Sequence, residues 1–424
     1  MRILIVNTSE KTGGAAVAAH RLMNALNNNG EKAKMLVRDK QTEAVTVASL
    51  PQSFCSRWSF LWERLVIALH LRFGREHLFE IDIANAGADI TRTREFQEAD
   101  IVHLHWINQG MLSLRGLRKI LKSGKPVVWT MHDIWPATAI CHYARGCHRF
   151  ETHCSDCRLL PGGGSASDLS AAVWRQKKRL LADNSIFFVA CSKWLAGEAK
   201  RSALLKGQSI RSIPNPIDVR SFRPVDKQEA CRAVGLPEGK RVVLFVSQRV
   251  TDSRKGMDYF IEAVRLMAES HPGLRENTVI AVLGGHSEDV AEKLALPVFP
   301  LGYVGDEKHI VNVYNAADLF VLPSLEDNLP NTIMEAMACG VPCVGFKVGG
   351  IPEMIDHLHT GYVAAFRDAS DLAKGMRWVL DEADRAVLSR NAVHKVNANY
   401  SQTAVAMRYI EVYNQAVAQK HYRL

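Results

Sequence analysis

The sequence predicts an α/β chain made of two Rossmann-like, doubly wound parallel-sheet domains in succession, and three observations predict it. Short apolar runs of strand length alternate with segments of helical periodicity through both halves, the pattern of a parallel sheet covered by helices. The alternation breaks once, at the turn formers Asn215-Pro216-Ile217-Asp218 and Phe222-Arg223-Pro224, and then starts afresh. A chain of 424 residues with 47% apolar content can also fill two cores.

In the first half, strands are expected at residues 2–7, 33–37, 101–105, 127–131, 186–190 and 210–213, each a short run dominated by Ile, Val, Leu or Phe. Helices are expected near 15–28 and 111–121, where apolar residues return every three or four positions. In the second half, strands are expected at 242–246, 279–283, 299–301, 320–322 and 342–346, with helices near 257–269, 289–294 and 331–339. The chain ends in a mainly helical element over 403–418, and 161–167 (Pro-Gly-Gly-Gly-Ser-Ala-Ser) reads as a surface loop. No internal repeat at periods of 20–50 residues is present.

The most informative stretch is 323–353. The strand at 320–322 ends at Pro323 and delivers Glu326, Asp327 and Asn328 to its carboxyl end, where open parallel sheets bind ligands. Asn331 to Cys339 reads as a helix stopped by Gly340, with Glu335 in its first turns, and Gly349-Gly350 opens another. The amide groups of such helix starts suit a phosphate.

With Asp327, seven residues, Glu335, then Gly340, Pro342 and Gly349-Gly350, the chain resembles glycosyltransferase family 4, retaining enzymes of the GT-B fold whose signature is an acid, seven residues and Glu. Asp stands where the family more often has Glu, and Glu326 lies one residue out of register, so both remain candidates for the first acid. The resemblance implies two sheet domains facing a cleft. Residues 1–222 would bind the acceptor and carry a Cys-rich insert at 141–157; 223–402 would bind the nucleotide-sugar donor; 403–424 would be a helix returning to the first domain.

The resemblance also implies roles. Glu335 would bind the ribose hydroxyls, while Asp327 and the backbone of Asn328-Leu329-Pro330 would hold the transferred sugar. Arg249 and the Lys255-Gly256 pair would bind the diphosphate, with Arg254 a competing cation. Gly13-Gly14, after the first strand, would let backbone approach the donor phosphate or the acceptor. His132, in Thr130-Met131-His132-Asp133-Ile134-Trp135, would contact the sugar, a neutral imidazole being able both to donate to and to accept from hydroxyls. Alternation sends His103 and His105 to one face at the end of the preceding strand, where they either touch ligand or pack. Tyr303 and Val304 would lie in the loop that reads the base.

The implied reaction moves a sugar from a UDP- or GDP-linked donor to a polysaccharide or lipid-linked oligosaccharide, by a front-face route in which the leaving phosphate takes the acceptor's proton. A nucleotide-sugar epimerase of the same fold and an inactive sugar-nucleotide-binding protein are the alternatives. No catalytic metal is expected, since the chain has no Asp-x-Asp pair to hold one.

Cys141, Cys147, Cys154 and Cys157 fall within seventeen residues that also hold His142, His148 and His153. Four thiolates suit a structural zinc with a closed shell; the other reading is four reduced thiols packed without metal. Nine cysteines and no export signal point to reduced thiols and a cytoplasmic protein.

Net charge is +9, but residues 1–210 hold 29 Lys plus Arg against 18 Asp plus Glu, or +11, leaving −2 for the rest. The first half therefore faces something anionic, a phosphorylated acceptor or the inner surface of a membrane. No aromatic-basic repeat supports a nucleic acid. Residues 57–73 form an apolar, aromatic helix edged with Arg, too short to span a bilayer; it is either buried or lies at a membrane interface.

Overall fold

The structure, a computed structural model, describes residues 1–50 and 54–421, with the side chains of 54–57, 420 and 421 outside the description. Arg57, as a side chain, and the end of the expected 403–424 segment therefore lie outside the described residues. The described chain forms two units, Met1–Pro216 with Val405–Leu424, and Ile217–Ala404.

In the first unit the elements are β1 (Arg2–Ser9), α1 (Gly14–Asn28), β2 (Lys32–Asp39), β3 (Val47–Ser49), α2 (Phe54–His70), α3 (Arg94–Glu98), β4 (Ile101–Leu104), α4 (Leu114–Lys122), β5 (Val127–Met131), α5 (Leu169–Ala182), β6 (Phe187–Ala190), α6 (Lys193–Arg201) and β7 (Ser209–Ser212). The strands pair in parallel in the order β3-β2-β1-β4-β5-β6-β7. The order reverses between β1 and β4, which puts a ligand-accepting crevice beyond their carboxyl ends.

The second unit continues with α7 (Lys227–Val234), β8 (Arg241–Arg249), α8 (Met257–Ser270), α9 (Leu274–Asn277), β9 (Thr278–Gly285), α10 (Glu288–Ala291), β10 (Val298–Gly302), α11 (Glu307–Asn315), β11 (Leu319–Leu322), α12 (Asn331–Ala338), β12 (Cys343–Phe346), α13 (Ile351–Met354), β13 (Gly361–Ala364), α14 (Ala369–Arg377) and α15 (Arg385–Asn399). Its parallel sheet runs β10-β9-β8-β11-β12-β13 and reverses between β8 and β11. α12 is buried on nearly every side, from Ile333 through Ala338, which holds Glu335 in fixed surroundings.

The last helix, α16 (Gln402–His421), packs on the first unit's sheet. Alternation along β1 sends Ile3 and Ile5 to one face and Leu4 and Val6 to the other, and the two pairs belong to separate cores. Val405, Tyr409, Val412, Tyr413 and Ala416 recur at helical spacing and complete the core that contains Ile3 and Ile5. The tyrosine hydroxyls meet buried polar groups of the sheet: Tyr413 Oη lies 2.8 Å from His103 Nδ1, and Tyr409 Oη 2.9 Å from Thr130 Oγ1.

The division falls at Pro216 and Ala404, not at 222 and 402 as the turn formers and the helix pattern suggested. The reason is a bridge between Ile217 and Ser401, reinforced by the Ile217 N–H donating to the Tyr400 carbonyl, which ties 217–222 to the second unit. β3, β13, α3, α5–α7, α9, α11, α14 and α15 had no counterpart in the sequence reading, and α13 is a single turn.

Tyr413→Phe leaves His103 Nδ1 buried without its partner and should cost about 1–3 kcal/mol, whereas Tyr409→Ala also opens a cavity and should cost about 3–5 kcal/mol. Urea denaturation followed by far-UV circular dichroism would rank the two in that order.

Candidate functional site

At the first unit's reversal point, β1 and β4 are clasped beyond their ends. The Trp106 N–H donates to Asn7 Oδ1 at 2.9 Å, and the Thr8 hydroxyl donates to the Trp106 and Asn108 carbonyls at 2.9 and 2.8 Å. The chain then turns through Gly13, whose φ of +91° favours glycine although a Cβ there would meet nothing within 4 Å. α1 starts at Gly14, with Gly13 at its N-cap position.

Three histidines lie side by side across β4 and β5. His103 and His105 have ring centroids 4.3 Å apart, and His105 stacks on His132 at 5.2 Å. His103 is fully buried, with its nitrogens bonded to Tyr413 and Thr130, so it belongs to the anchor of α16 and does not reach the crevice. His105 Nδ1 lies 2.9 Å from His132 Nε2, and His132 Nδ1 lies 3.4 Å from the Cys191 sulfur. Burial pushes the His103 imidazole down to about 3 and that of His132 down to about 4, so both are neutral at pH 7.

Asp133 anchors this turn. Its Oδ1 accepts from the Trp135 N–H at 2.9 Å, and its Oδ2 from Trp106 Nε1 at 3.0 Å and from His142 Nδ1 at 2.7 Å. The other His142 nitrogen contacts Asp82 Oδ2 at 2.6 Å, and Asp82 in turn pairs with Arg64. Burial pushes His142 down, but the two carboxylates outweigh it and hold it up at about 10; burial pushes Asp133 up, and His142 with the two N–H donors holds it below its ordinary value. Asp82 and His142 were not legible as partners, being sixty residues apart in sequence, and His142 joins this network rather than the cysteines beside it.

At the second unit's reversal point the loops after β8 and β11 interlock. Lys255 Nζ meets Asp327 Oδ2 at 2.5 Å, with the Ser324 hydroxyl 3.2 Å from the same oxygen. Arg254, the competing cation, is held by Asp252 through Nη2 at 2.6 Å and Nε at 3.2 Å. Arg249 is exposed, with its Nε 3.2 Å from Thr251 Oγ1. Two glycines make the approach possible. A Cβ on Gly256 would lie 1.9 Å from the Pro323 carbonyl oxygen, and one on Gly349 would lie 1.7 Å from the Asp327 carbonyl oxygen. The Gly350 N–H donates to the Asn328 carbonyl at 2.8 Å, and Leu329 and Pro330 are buried beside it.

Glu335, in the first turns of α12, is buried and accepts from the Tyr314 hydroxyl at 2.8 Å. Tyr303 is 69% exposed at the end of the edge strand β10, followed by the half-buried Val304. The carboxyl end of this sheet thus carries a cation and a carboxylate on its loops and a second carboxylate on α12, groups that can meet a phosphate and hydroxyls. Of the two candidate acids, it is Asp327 that the loop turns toward the Lys255 ammonium.

Cys141, Cys154 and Cys157 pack against the core that contains Leu4 and Val6, and the four expected metal-site thiols, Cys147 included, are free. Burial pushes Cys141 and Cys154 up to about 12. Among the described residues no three His, Cys, Asp or Glu side chains are grouped, as they lie, to hold a metal ion. Nearby, the buried Lys177 donates to the Trp135 and Thr138 carbonyls at 2.7 and 3.0 Å and lies over the Trp135 ring; burial pushes it down to about 7.

Residues 12–221 match the model of Glycosyltransferase Family 4, and residues 240–382 match that of glycosyl transferases group 1. This chain belongs to glycosyltransferase family 4. Among its relatives is the D-inositol 3-phosphate glycosyltransferase of Saccharomonospora viridis, 30% identical over 349 residues, covering 78% of this chain and 74% of that one. The namesake from Thermobispora bispora is 31% identical over 223 residues, 50% of this chain and 51% of its own, so the match spans about half of that relative.

Solved structures share the fold. The sucrose-phosphate synthase of Thermosynechococcus elongatus superposes with a TM-score of 0.65 at 20% identity, covering 99% of both chains. The Anabaena protein HepE, solved with UDP and glucose, gives 0.63 at 16% identity over 98% of this chain and 100% of its own. Two parallel-sheet α/β units with these neighbours make the family 4 chain a GT-B fold.

The raised pKa of His142 makes a pH prediction. Its stabilisation is fully present below pH 6.5, the ordinary histidine value, and is lost as pH rises through about 10. His142→Gln should cost about 3–5 kcal/mol near neutral pH, because it leaves buried Asp133 without its cation and Asp82 with Arg64 alone. The gap in Tm between wild type and variant should then narrow from pH 7 to pH 10 in differential scanning fluorimetry.

Proposed function

We propose that this protein is a retaining glycosyltransferase that moves a sugar from a nucleotide diphosphate sugar to a glycan or lipid-linked acceptor. Family membership supports the reaction class. The observation that carries the residue-level reading is the Lys255–Asp327 contact at the end of β11, flanked by two backbones that approach too closely for any side chain.

In this reading Lys255 and Arg249 hold the diphosphate as charge grows on it, a preorganised contribution of about 3–4 kcal/mol per group. Asp327 exchanges its ammonium partner for sugar hydroxyls, helped by the backbone of Asn328, Leu329 and Pro330, while Glu335 holds the ribose. Tyr303 and Val304 flank the base. In the first unit, the Gly13-Gly14 turn would let backbone approach a phosphate, and the neutral His132 would exchange His105 or Cys191 for a hydroxyl of the sugar. The leaving phosphate takes the acceptor hydroxyl's proton on the front face, so configuration is retained and no carboxylate nucleophile is required.

UDP is the favoured carrier, because HepE, which shares the fold, was solved with UDP and with UDP-glucose. The excess of 29 basic over 18 acidic residues in 1–210 favours an acceptor bearing phosphate, in keeping with relatives named for inositol 3-phosphate. Thermal shift assays with UDP, GDP and their sugar conjugates test the donor half. Ligand at about 100 times its Kd adds roughly 2.7 kcal/mol, and that gain should vanish in both Lys255→Ala and Glu335→Ala. A full shift in both variants would remove these residues from the site.

A structural zinc held by Cys141, Cys147, Cys154 and Cys157 is a separate proposal. It is supported by the four cysteines falling within seventeen residues, three of them packed against one core. It requires the thiols to turn toward one another. Elemental analysis of pure protein should give about one zinc per chain; metal-free protein with all four thiols titratable would remove it.

A further inference from the structure

α2 is inside out. Its polar residues Glu63 and Arg64 are buried, while Leu61, Trp62, Leu65 and Leu69 are between 46% and 54% exposed. The buried side is a made-to-measure seat. Glu63 Oε1 accepts from the Ile83 and Ala84 N–H groups at 3.0 and 2.6 Å, and Arg64 donates to the Leu78 carbonyl at 2.6 Å and pairs with Asp82. Beneath it the loop after β4 comes so close that a Cβ on Gly110 would lie 2.6 Å from the Phe60 nitrogen. The helix cannot roll to hide its leucines without pulling a carboxylate and a guanidinium out of these bonds, so the apolar stripe is held outward.

The stripe continues beyond the helix in Phe73 and Phe79, 69% and 61% exposed, and Arg72 and Arg75 stand exposed beside it. From 54 to 75 the one acidic residue is Glu63, which is buried; the exposed Glu76 follows, between Arg75 and Phe79, so the basic edge of the stripe is Arg72 and Arg75 with one carboxylate beside them. Exposed Trp, Phe and Leu with Arg at the edge, on a unit rich in positive charge, match the headgroup and upper acyl region of an anionic bilayer. No helix among the described residues is long and apolar enough to cross a membrane, so the contact is one of lying on the surface.

We propose that the exposed face of α2, with Phe73 and Phe79, docks this protein onto an anionic lipid bilayer. The seat of that helix runs through Arg64, Asp82 and His142 to Asp133, which sets the docked surface beside the His132 turn. An acceptor carried in the same lipid surface would then be presented to the first unit in two dimensions. The docking itself does not rest on the glycosyl-transfer reading.

Flotation of the full chain with phosphatidylcholine vesicles, with and without phosphatidylglycerol, tests it. Wild type should float with the anionic vesicles at low salt and weaken as salt is raised. Trp62→Ser/Leu65→Ser should lower binding by at least about tenfold while Tm and the nucleotide thermal shift stay unchanged. Arg72→Glu/Arg75→Glu should remove the dependence on phosphatidylglycerol. Failure of wild type to float, or equal flotation of the Trp62/Leu65 variant, overturns the proposal. So does light scattering that shows a wild-type dimer which the same variant converts to monomer, because the stripe is then a contact between copies. A lost nucleotide shift with intact flotation would instead count against the donor-site reading alone.

Discussion

Around the end of β11 there is no room for a side chain on either flanking backbone, and the second unit's site depends on that constraint. Gly256 adopts a φ of +72° against the Pro323 carbonyl, and Gly349 a φ of +55° against the Asp327 carbonyl. Any Cβ there would overlap backbone oxygen, an obstacle no rotamer change relieves. The close approach lets the Leu325 N–H reach the Arg254 carbonyl and the Gly350 N–H reach the Asn328 carbonyl. Three loops that are distant in sequence are thereby held as one surface, and the reach of Lys255 to Asp327 is fixed by backbone rather than by two flexible side chains.

The first unit solves a different problem, burying charge under a turn. Arg64 and His142 supply two positive charges against the carboxylates of Asp82 and Asp133. Glu63 would tip the balance negative, but burial and the nearby Asp82 raise its pKa, and its Oε2, which has no hydrogen-bond partner, is where a proton can reside. With Glu63 protonated the network closes near neutrality, which low-dielectric surroundings demand. The same logic keeps His103, His105 and His132 uncharged, since three buried imidazolium ions a few ångströms apart would repel one another.

Much of the fold, and the loops that meet at the end of β11, were legible because local chemistry decides them. Gly340 and Gly349 punctuate the chain where a positive φ and close approach require glycine, Pro323 follows the last residue of β11, and the 127–131 strand is the observed β5. What was not legible depends on partners far along the chain. Alternation correctly pairs His103 with His105, but only Tyr413, 310 residues away, shows that His103 is an anchor. α15 went unread because its core contact is a narrow stripe of Leu388, Ala392 and Val396 amid polar residues. Helical periodicity in α2 says which residues share a face, yet the side turned inward is chosen by Ile83, Ala84 and Asp82, which offer hydrogen bonds that leucine cannot use.

The Lys255–Asp327 contact explains why one site would carry opposite charges so close together. An ammonium placed alone to receive a diphosphate would be poorly solvated before the ligand arrives and free to sample other positions. Asp327 holds it at 2.5 Å, and the pair, with side chains 24% and 15% exposed, stays accessible enough to separate. Under the proposed reaction a diphosphate brings more negative charge than the carboxylate, so Lys255 turns to it and Asp327 is released toward hydroxyls, which donate hydrogen bonds to the carboxylate without competing for the cation. Aspartate, one methylene shorter than glutamate, also keeps its oxygen within reach of the Ser324 hydroxyl at 3.2 Å. Donor binding would therefore exchange one set of polar partners for another at nearly constant charge pairing, which keeps the desolvation cost of assembling the site low.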